Sequence, residues 1–174
     1  LAFTIIFYGL IYTVWLKRST AQNIVIGGAA GALPPIIGWA AVTASMSIES
    51  IILFGLIFFW TPPHFWALAL VKNQDYKNAK IPMLPVVAGG DETRRQIFIY
   101  SIIMVGVSFL PNIIGMSKIL YGSVAGISGT IFLLLAFELL RQPDDSRAMR
   151  LFKYSIAYLF ILFLALICDK AILG

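Results

Sequence analysis

Charge is what this sequence has least of. Only 12% of its 174 residues are Asp, Glu, Lys or Arg, against about 25% in an ordinary soluble domain. That deficit excludes a water-exposed surface over most of the chain. Cysteine is nearly missing: Cys168 stands alone, so no intrachain disulfide can form, and its place in the last apolar block suits a small packing residue. The chain opens on Leu1 inside an apolar run without a basic n-region, so the expectation is no signal peptide here and a start in the middle of a longer protein. No low-complexity linker, soluble domain or inverted repeat is visible. The strict alternation of a membrane barrel strand is missing as well.

What fills the chain instead is apolar sequence, 60% of all residues. It falls into blocks near the 20 residues that a helix needs to cross a bilayer, where a helix satisfies its own backbone hydrogen bonds. The expected fold is all-α, a polytopic transmembrane bundle forming one domain over residues 1–174. Six spans are expected: 1–16, 24–44, 48–71, 97–116, 119–140 and 151–173. Very short connections lie at Ser45 to Ser47 and Ser117 to Lys118. Polar ones run from Lys17 to Asn23, Lys72 to Gln96 and Arg141 to Arg150. Because spans alternate in direction, the three polar connections share one side. That side holds Lys17, Arg18, Lys72, Lys77, Lys80, Arg94, Arg95, Arg141, Arg147, Arg150 and Lys153, while the other has Lys118 and Lys170. Eleven basic residues against two predict that the polar side is cytoplasmic and that the C-terminus lies outside. A basic binding site for an anion would produce the same asymmetry. The net charge of +5 does not point to nucleic acid, since the basic residues sit in short connections between apolar blocks.

Polar residues at membrane depth mark candidate chemistry. The third span ends in Trp60-Thr61-Pro62-Pro63-His64-Phe65-Trp66. Two prolines inside a span remove two backbone donors, so the carbonyls about four residues earlier need new partners or line a cavity. His64, the sole histidine, is an ionisable group at that depth and therefore a functional candidate; the bland alternative is that it satisfies a carbonyl freed by the kink. Asp75 follows eleven residues later. If the helix continued, the two would share a face about 16 Å apart. Around Asp75 stand Lys72, Tyr76, Lys77 and Lys80, a setting that suits a metal-bound phosphate ester as well as a salt-bridged connection. Asn23 opens the second span as a helix cap or a ligand. Gly31-Ala32-Leu33-Pro34-Pro35 places another proline pair there, and Gly27 with Gly31, Gly28 with Ala32 and Gly122 with Gly126 form small-residue faces, for helix packing or to admit a flat ligand. Asp91 is expected to cap the fourth span. Glu138 is expected to snorkel or to pair with Arg141 at the boundary, and Asp144, Asp145 and Arg147 to form a solvated loop. The connection 72–96, with Pro82, Pro85, Gly89 and Gly90, is expected to dip into the membrane.

Three strings, YTVWLKRSTAQNIVIGGAAGALPPIIGWAAVT (12–43), FFWTPPHFWALAL (58–70) and DYKNAKIPMLPVV (75–87), resemble the protohaem IX farnesyltransferases, or haem O synthases, a branch of the UbiA-type intramembrane prenyltransferases. The resemblance covers most of residues 1–100; beyond it only the span pattern matches. It implies a nine-helix fold of which the six spans are helices four to nine, placed in a cell inner membrane with cytoplasmic active-site loops. It also implies the reaction: farnesyl diphosphate alkylates a vinyl group of haem B, water adds, and diphosphate leaves, giving haem O for haem-copper oxidase assembly, with haem A synthase as a possible partner. Mg²⁺ is the implied cofactor. The family's first acidic motif, N-x-x-x-D-x-x-x-D, would lie before residue 1. At the second, many relatives carry two aspartates four apart, whereas Asp75 is followed at that distance by Ala79, which puts a separate metal there in doubt and leaves this chain by itself expected to be inactive.

On that resemblance Asp75 is the candidate for metal or water contact, and Lys72, Lys77, Lys80, Lys17 and Arg18 are the candidate diphosphate clamps, since ionising an allylic diphosphate requires its leaving charge to be neutralised. The allylic cation needs a dry chamber with aromatic faces, for which Phe59, Trp60, Phe65, Trp66 and Trp39 are available. His64 is a candidate haem ligand or acid/base, and Asn23 and Tyr76 candidate substrate contacts. Two rival expectations are a UbiA-type prenyltransferase acting on a quinone precursor, which should lack the TPPHFW string, and a transporter or channel subunit, which should show repeat symmetry.

Overall fold

The computed structural model describes residues 20–173; the first expected span, Lys17 and Arg18 lie outside them. The described residues are helical with short connections: α1 (Asn23–Gly31), α2 (Pro34–Thr43), α3 (Ile48–Val71), α4 (Asn73–Asn78), α5 (Leu84–Val87), α6 (Gly89–Ser108), α7 (Leu110–Ile113), α8 (Ile119–Arg141) and α9 (Asp145–Leu173). Five stretches among them are long and apolar enough to cross a membrane: Asn23–Thr43, Ile48–Val71, Gly89–Ile113, Ile119–Arg141 and Asp145–Ile172.

α3 is the hub, packing against α1, α2, α6 and α9, while α8 closes the bundle against α6 and α9. It starts on a reciprocal cap in which the Ser50 amide donates to Ser47 Oγ and the Ser47 amide to Ser50 Oγ, satisfying two of the amides that every helix start leaves open. It then runs unbroken through Pro62 and Pro63, both buried. The other proline pair ends one helix and begins the next: α1 stops at Gly31, and Pro34 and Pro35 occupy the first two positions of α2, where a missing N–H costs nothing. The core joins Trp66 of α3, Ile97 and Met104 of α6, Tyr121 and Phe132 of α8, and Tyr158 of α9. Leu134, Ile127 and Phe160 stay exposed on the outside, as residues meeting lipid do.

Several expectations are corrected. The fourth span begins at Gly89, eight residues before Ile97, because its charged first turns are helical: Asp91 pairs with Arg94, and Glu92 with Arg95 at 3.6 Å. Asp91 is therefore inside the first turn and does not cap it; the residue before the helix is Ala88. The expected long loop shrinks accordingly and is itself partly helical. The last span starts at Asp145, so Asp145 and Arg147 are helical rather than looped. Glu138 reaches across to α9, accepting from Arg147 Nε at 2.9 Å and facing Arg150 at 3.3 Å. Its expected partner Arg141 instead lies over the Phe137 ring. Asn23 is the first helical residue of α1, with Gln22 before it and no side-chain cap.

The far end of the bundle is held by a carboxylate from another helix. Asp169 of α9 accepts from the backbone amides of Lys118 and, at 3.1 Å, Tyr121. It thereby serves the start of α8, where no side chain of the local sequence does. A negative group there also meets the positive end of the helix dipole. Tyr121 in turn donates its hydroxyl to the Ser108 carbonyl at 2.8 Å, tying α8 to the end of α6.

Candidate functional site

A cavity of about 390 Å³ opens between α1, α3 and the segment joining α3 to α6, a size in the range of small-molecule sites. Its lining is Asn23, Ile24, Gly27, Gly28 and Gly31 from α1, Ile57, Trp60, Thr61 and Phe65 from α3, and Tyr76, Ile81 and Met83 from the connection. The glycines make the space. Gly28 lies against Thr61, and a Cβ at Gly31 would meet nothing within 4 Å. Thr61 turns its hydroxyl inward to its own helix, donating to the Ile57 carbonyl at 2.8 Å. Asn23, the first residue of α1, is 1% exposed and part of the lining.

The rim carries the charge. α3 ends at Val71, the chain turns at Lys72, and α4 restarts at Asn73. The single continuous helix that would align His64 with Asp75 does not exist. Tyr76 lines the cavity, while its neighbours along the chain, Lys72, Asp75, Lys77 and Lys80, are exposed and outside the lining. The Asp75 side chain is 69% exposed and lies 3.4 Å from the Lys72 ammonium, a pair of little energetic weight. α4 closes with the Ile81 amide donating to the Tyr76 carbonyl at 3.0 Å and the Lys80 amide to the Lys77 carbonyl at 3.1 Å. That pattern places a left-handed residue just past the helix and usually selects glycine; here it is Lys80, with φ 54°. Among the described residues no three His, Cys, Asp or Glu side chains gather as a metal site. One carboxylate beside a lysine does not build a resident Mg²⁺ site, though it suits a Mg²⁺ that arrives on a diphosphate and keeps most of its ligands from it.

His64 is not in the cavity lining. It is buried at 7% exposure between α3 and α9, with its ring stacked on Trp60 (centroids 4.2 Å apart) and on Phe152 (4.6 Å). Its Nδ1 lies 2.6 Å from Ser155 Oγ. It thus bonds a side chain of α9 rather than a carbonyl freed by the prolines of its own helix. Ser155 also holds Trp60: its carbonyl accepts from the indole Nε1 at 2.7 Å. Beside this node runs a second, shallower and wholly apolar groove of about 440 Å³, lined by Ile57 and Trp60 of α3 and Ile156, Leu159, Phe160 and Phe163 of α9. Cavity and groove share Ile57 and Trp60 in their lining.

The expected aromatic chamber is divided. Trp60 and Phe65 line the cavity. Trp66, 1% exposed, packs edge-on against Tyr100 in the core, and Phe59 lies against the core. Trp39 lines a separate hollow at the other end with Glu49 and Lys170. Sequence reasoning did not single out Ser155. Its signal, a lone hydroxyl in an apolar span, is too common to stand out without its partner 91 residues away.

Comparison with known proteins adds the following. "Protoheme IX farnesyltransferase 2" of Mesorhizobium japonicum is 55% identical over 99% of this chain and 56% of its own length. "Protoheme IX farnesyltransferase" of Rhodopseudomonas palustris (strain HaA2) is 57% identical over 97% of this chain and 55% of its own. The chain thus spans little more than half the length of these relatives. A solved structure described as concerning digeranylgeranylglyceryl phosphate synthase in membranes superposes with a TM-score of 0.83 at 18% identity, over 97% of this chain and 59% of that one; it speaks for the fold alone. The model of the UbiA prenyltransferase family matches residues 1–167, and the chain belongs to that family.

Proposed function

We propose that this chain is the larger part of an enzyme that transfers a farnesyl group from farnesyl diphosphate to a vinyl group of haem B, giving haem O. The observation that carries this reading is that two concavities share Trp60 and Ile57 in their walls, one reaching Tyr76, which Lys72, Lys77 and Lys80 flank along the chain, and one wholly apolar. A reaction between an isoprenoid diphosphate and a flat porphyrin needs two compartments that touch at the bond to be made. The names borne by relatives at 55–57% identity support the choice of substrates.

The diphosphate sits by the connection after α3, where Lys72, Lys77 and Lys80 neutralise the charge that develops as the allylic C–O bond breaks; Lys17 and Arg18, outside the described residues, are proposed for the same role. Asp75 would be the residue to hold a Mg²⁺ brought by the diphosphate, which would supply positive charge to the leaving group, and Tyr76 and Asn23 bound the cavity end of the substrate. The isoprenoid chain lies among Ile24, Ile57, Phe65 and Met83. The electron pair of the C–O bond leaves with diphosphate. The vinyl group's π pair forms the new C–C bond, and water supplies a hydroxyl to the remaining carbon and gives up a proton. Trp60 faces the cationic carbon at the junction, where an aromatic face stabilises positive charge. Haem B lies along the apolar groove on the His64 side. The lysine rim faces the cytoplasm of a cell whose inner membrane holds the protein, and the product passes to haem A synthase.

The test is direct. The full-length reading frame, in membranes supplied with haem B and farnesyl diphosphate, is expected to yield haem O by mass spectrometry. Prenylation of a quinone precursor with no haem O formed would overturn the reading.

A further inference from the structure

The contacts around Ser155 assign a proton. Its hydroxyl has one hydrogen and two short neighbours, the Phe152 carbonyl at 2.6 Å and His64 Nδ1 at 2.6 Å. A carbonyl oxygen only accepts, so the hydrogen goes to Phe152. The contact with His64 is then a bond only if Nδ1 carries a proton and donates. Two bare acceptors at that distance would repel. Among the described residues nothing hydrogen-bonds to Nε2. Trp60 and Phe152 cover the two faces of the ring and Phe65 stands perpendicular to it with centroids 5.0 Å apart, so a ligand can meet the ring only along the rest of its edge.

We propose that Ser155 is a positioning residue that fixes His64 as the Nδ1–H tautomer and thereby keeps a lone pair at Nε2, which no described residue hydrogen-bonds, on a ring held between Trp60 and Phe152. The same serine fixes the ring's stacking partner through its carbonyl bond to Trp60, so one residue of α9 sets both the proton and the plane. A lone pair at Nε2 is what an iron ligand or a base requires, and a donor bond at the other nitrogen is how proteins orient such a histidine. What the lone pair meets rests on the function proposed above; the tautomer does not.

The experiment is ¹⁵N NMR of the full-length protein labelled at histidine, with the His64→Gln spectrum identifying the His64 resonances. The expected result is a pyrrole-type Nδ1 and a pyridine-type Nε2 in the wild type, retained in Ser155→Thr, which keeps the hydroxyl. Ser155→Ala should lose or mix the two. It should also lower kcat by about tenfold or more with the KM for farnesyl diphosphate unchanged, and Ser155→Thr should recover most of that loss. A protonated Nε2 in the wild type, or ring shifts in Ser155→Ala identical to the wild type, overturns the proposal. Shifts as expected in a protein that forms no haem O would leave the positioning role supported and sink the reaction reading instead.

Discussion

Gly28 of α1 sits against Thr61 of α3 with no room for a methyl group: a Cβ on Gly28 would stand 2.9 Å from the threonine Cγ2 and 3.1 Å from its Cβ. Packed helices resist such an insertion at about 1–3 kcal/mol. Gly28→Ala should lower the melting temperature of the protein in detergent. Thr61→Ser, which removes Cγ2 and keeps the hydroxyl bonded to Ile57, should restore part of that loss in the double variant. Additive effects of the two substitutions would contradict the contact.

Gly31, one turn further along α1, is the opposite case. It lines the cavity with open space in front of it, so a large side chain there fills the cavity without displacing a helix. Gly31→Phe is expected to leave the melting temperature within a few degrees of wild type while weakening farnesyl diphosphate binding, read by equilibrium dialysis. Undiminished binding would place the isoprenoid elsewhere.

Lys80 holds a left-handed backbone (φ 54°) that costs a non-glycine residue about 1 kcal/mol. If the lysine is kept for its charge, Lys80→Gly should bind the diphosphate several-fold more weakly in a protein that is no less stable. Lys80→Arg, with the same backbone strain, should retain binding. Equal binding by all three would assign Lys80 to the solvated surface.

Asp169 serves the start of α8 from α9 while itself only 2% exposed. Replacing it by alanine orphans two backbone amides, at about 1–3 kcal/mol. Asp169→Ala should therefore melt earlier, with farnesyl diphosphate affinity unchanged, since the carboxylate lies at the opposite end from the lysine rim. A selective loss of affinity would show that the two ends are coupled.

How much of this was legible in the chain follows from the range of each interaction. The span expected at 48–71 is α3 itself, because its limits are local: Ser47 and Ser50 begin it, and a run of polar residues follows Val71. The span expected at 97–116 starts eight residues late, since hydropathy reads Gly89 to Gln96 as loop while ion pairs three residues apart hold it helical. Helix spacing suggested Arg141 for Glu138; the observed partners, Arg147 and Arg150, come from the neighbouring helix. The candidates Asn23, Trp60 and Tyr76 do line one cavity, to which α1, α3 and the connection after α3 each contribute. His64 leaves that group: its direction is set by Ser155, a residue no local pattern links to it.

Trp60 joins the two concavities to the His64 pair. It lines the cavity and the groove, covers one face of His64 and bonds the Ser155 carbonyl at 2.7 Å. An occupant of either concavity that tilts the indole must strain that bond and shift the imidazole beside it. The protein thus carries a built-in optical gauge, and the emission of this tryptophan should report the arrival of each substrate in turn before any bond between them is made.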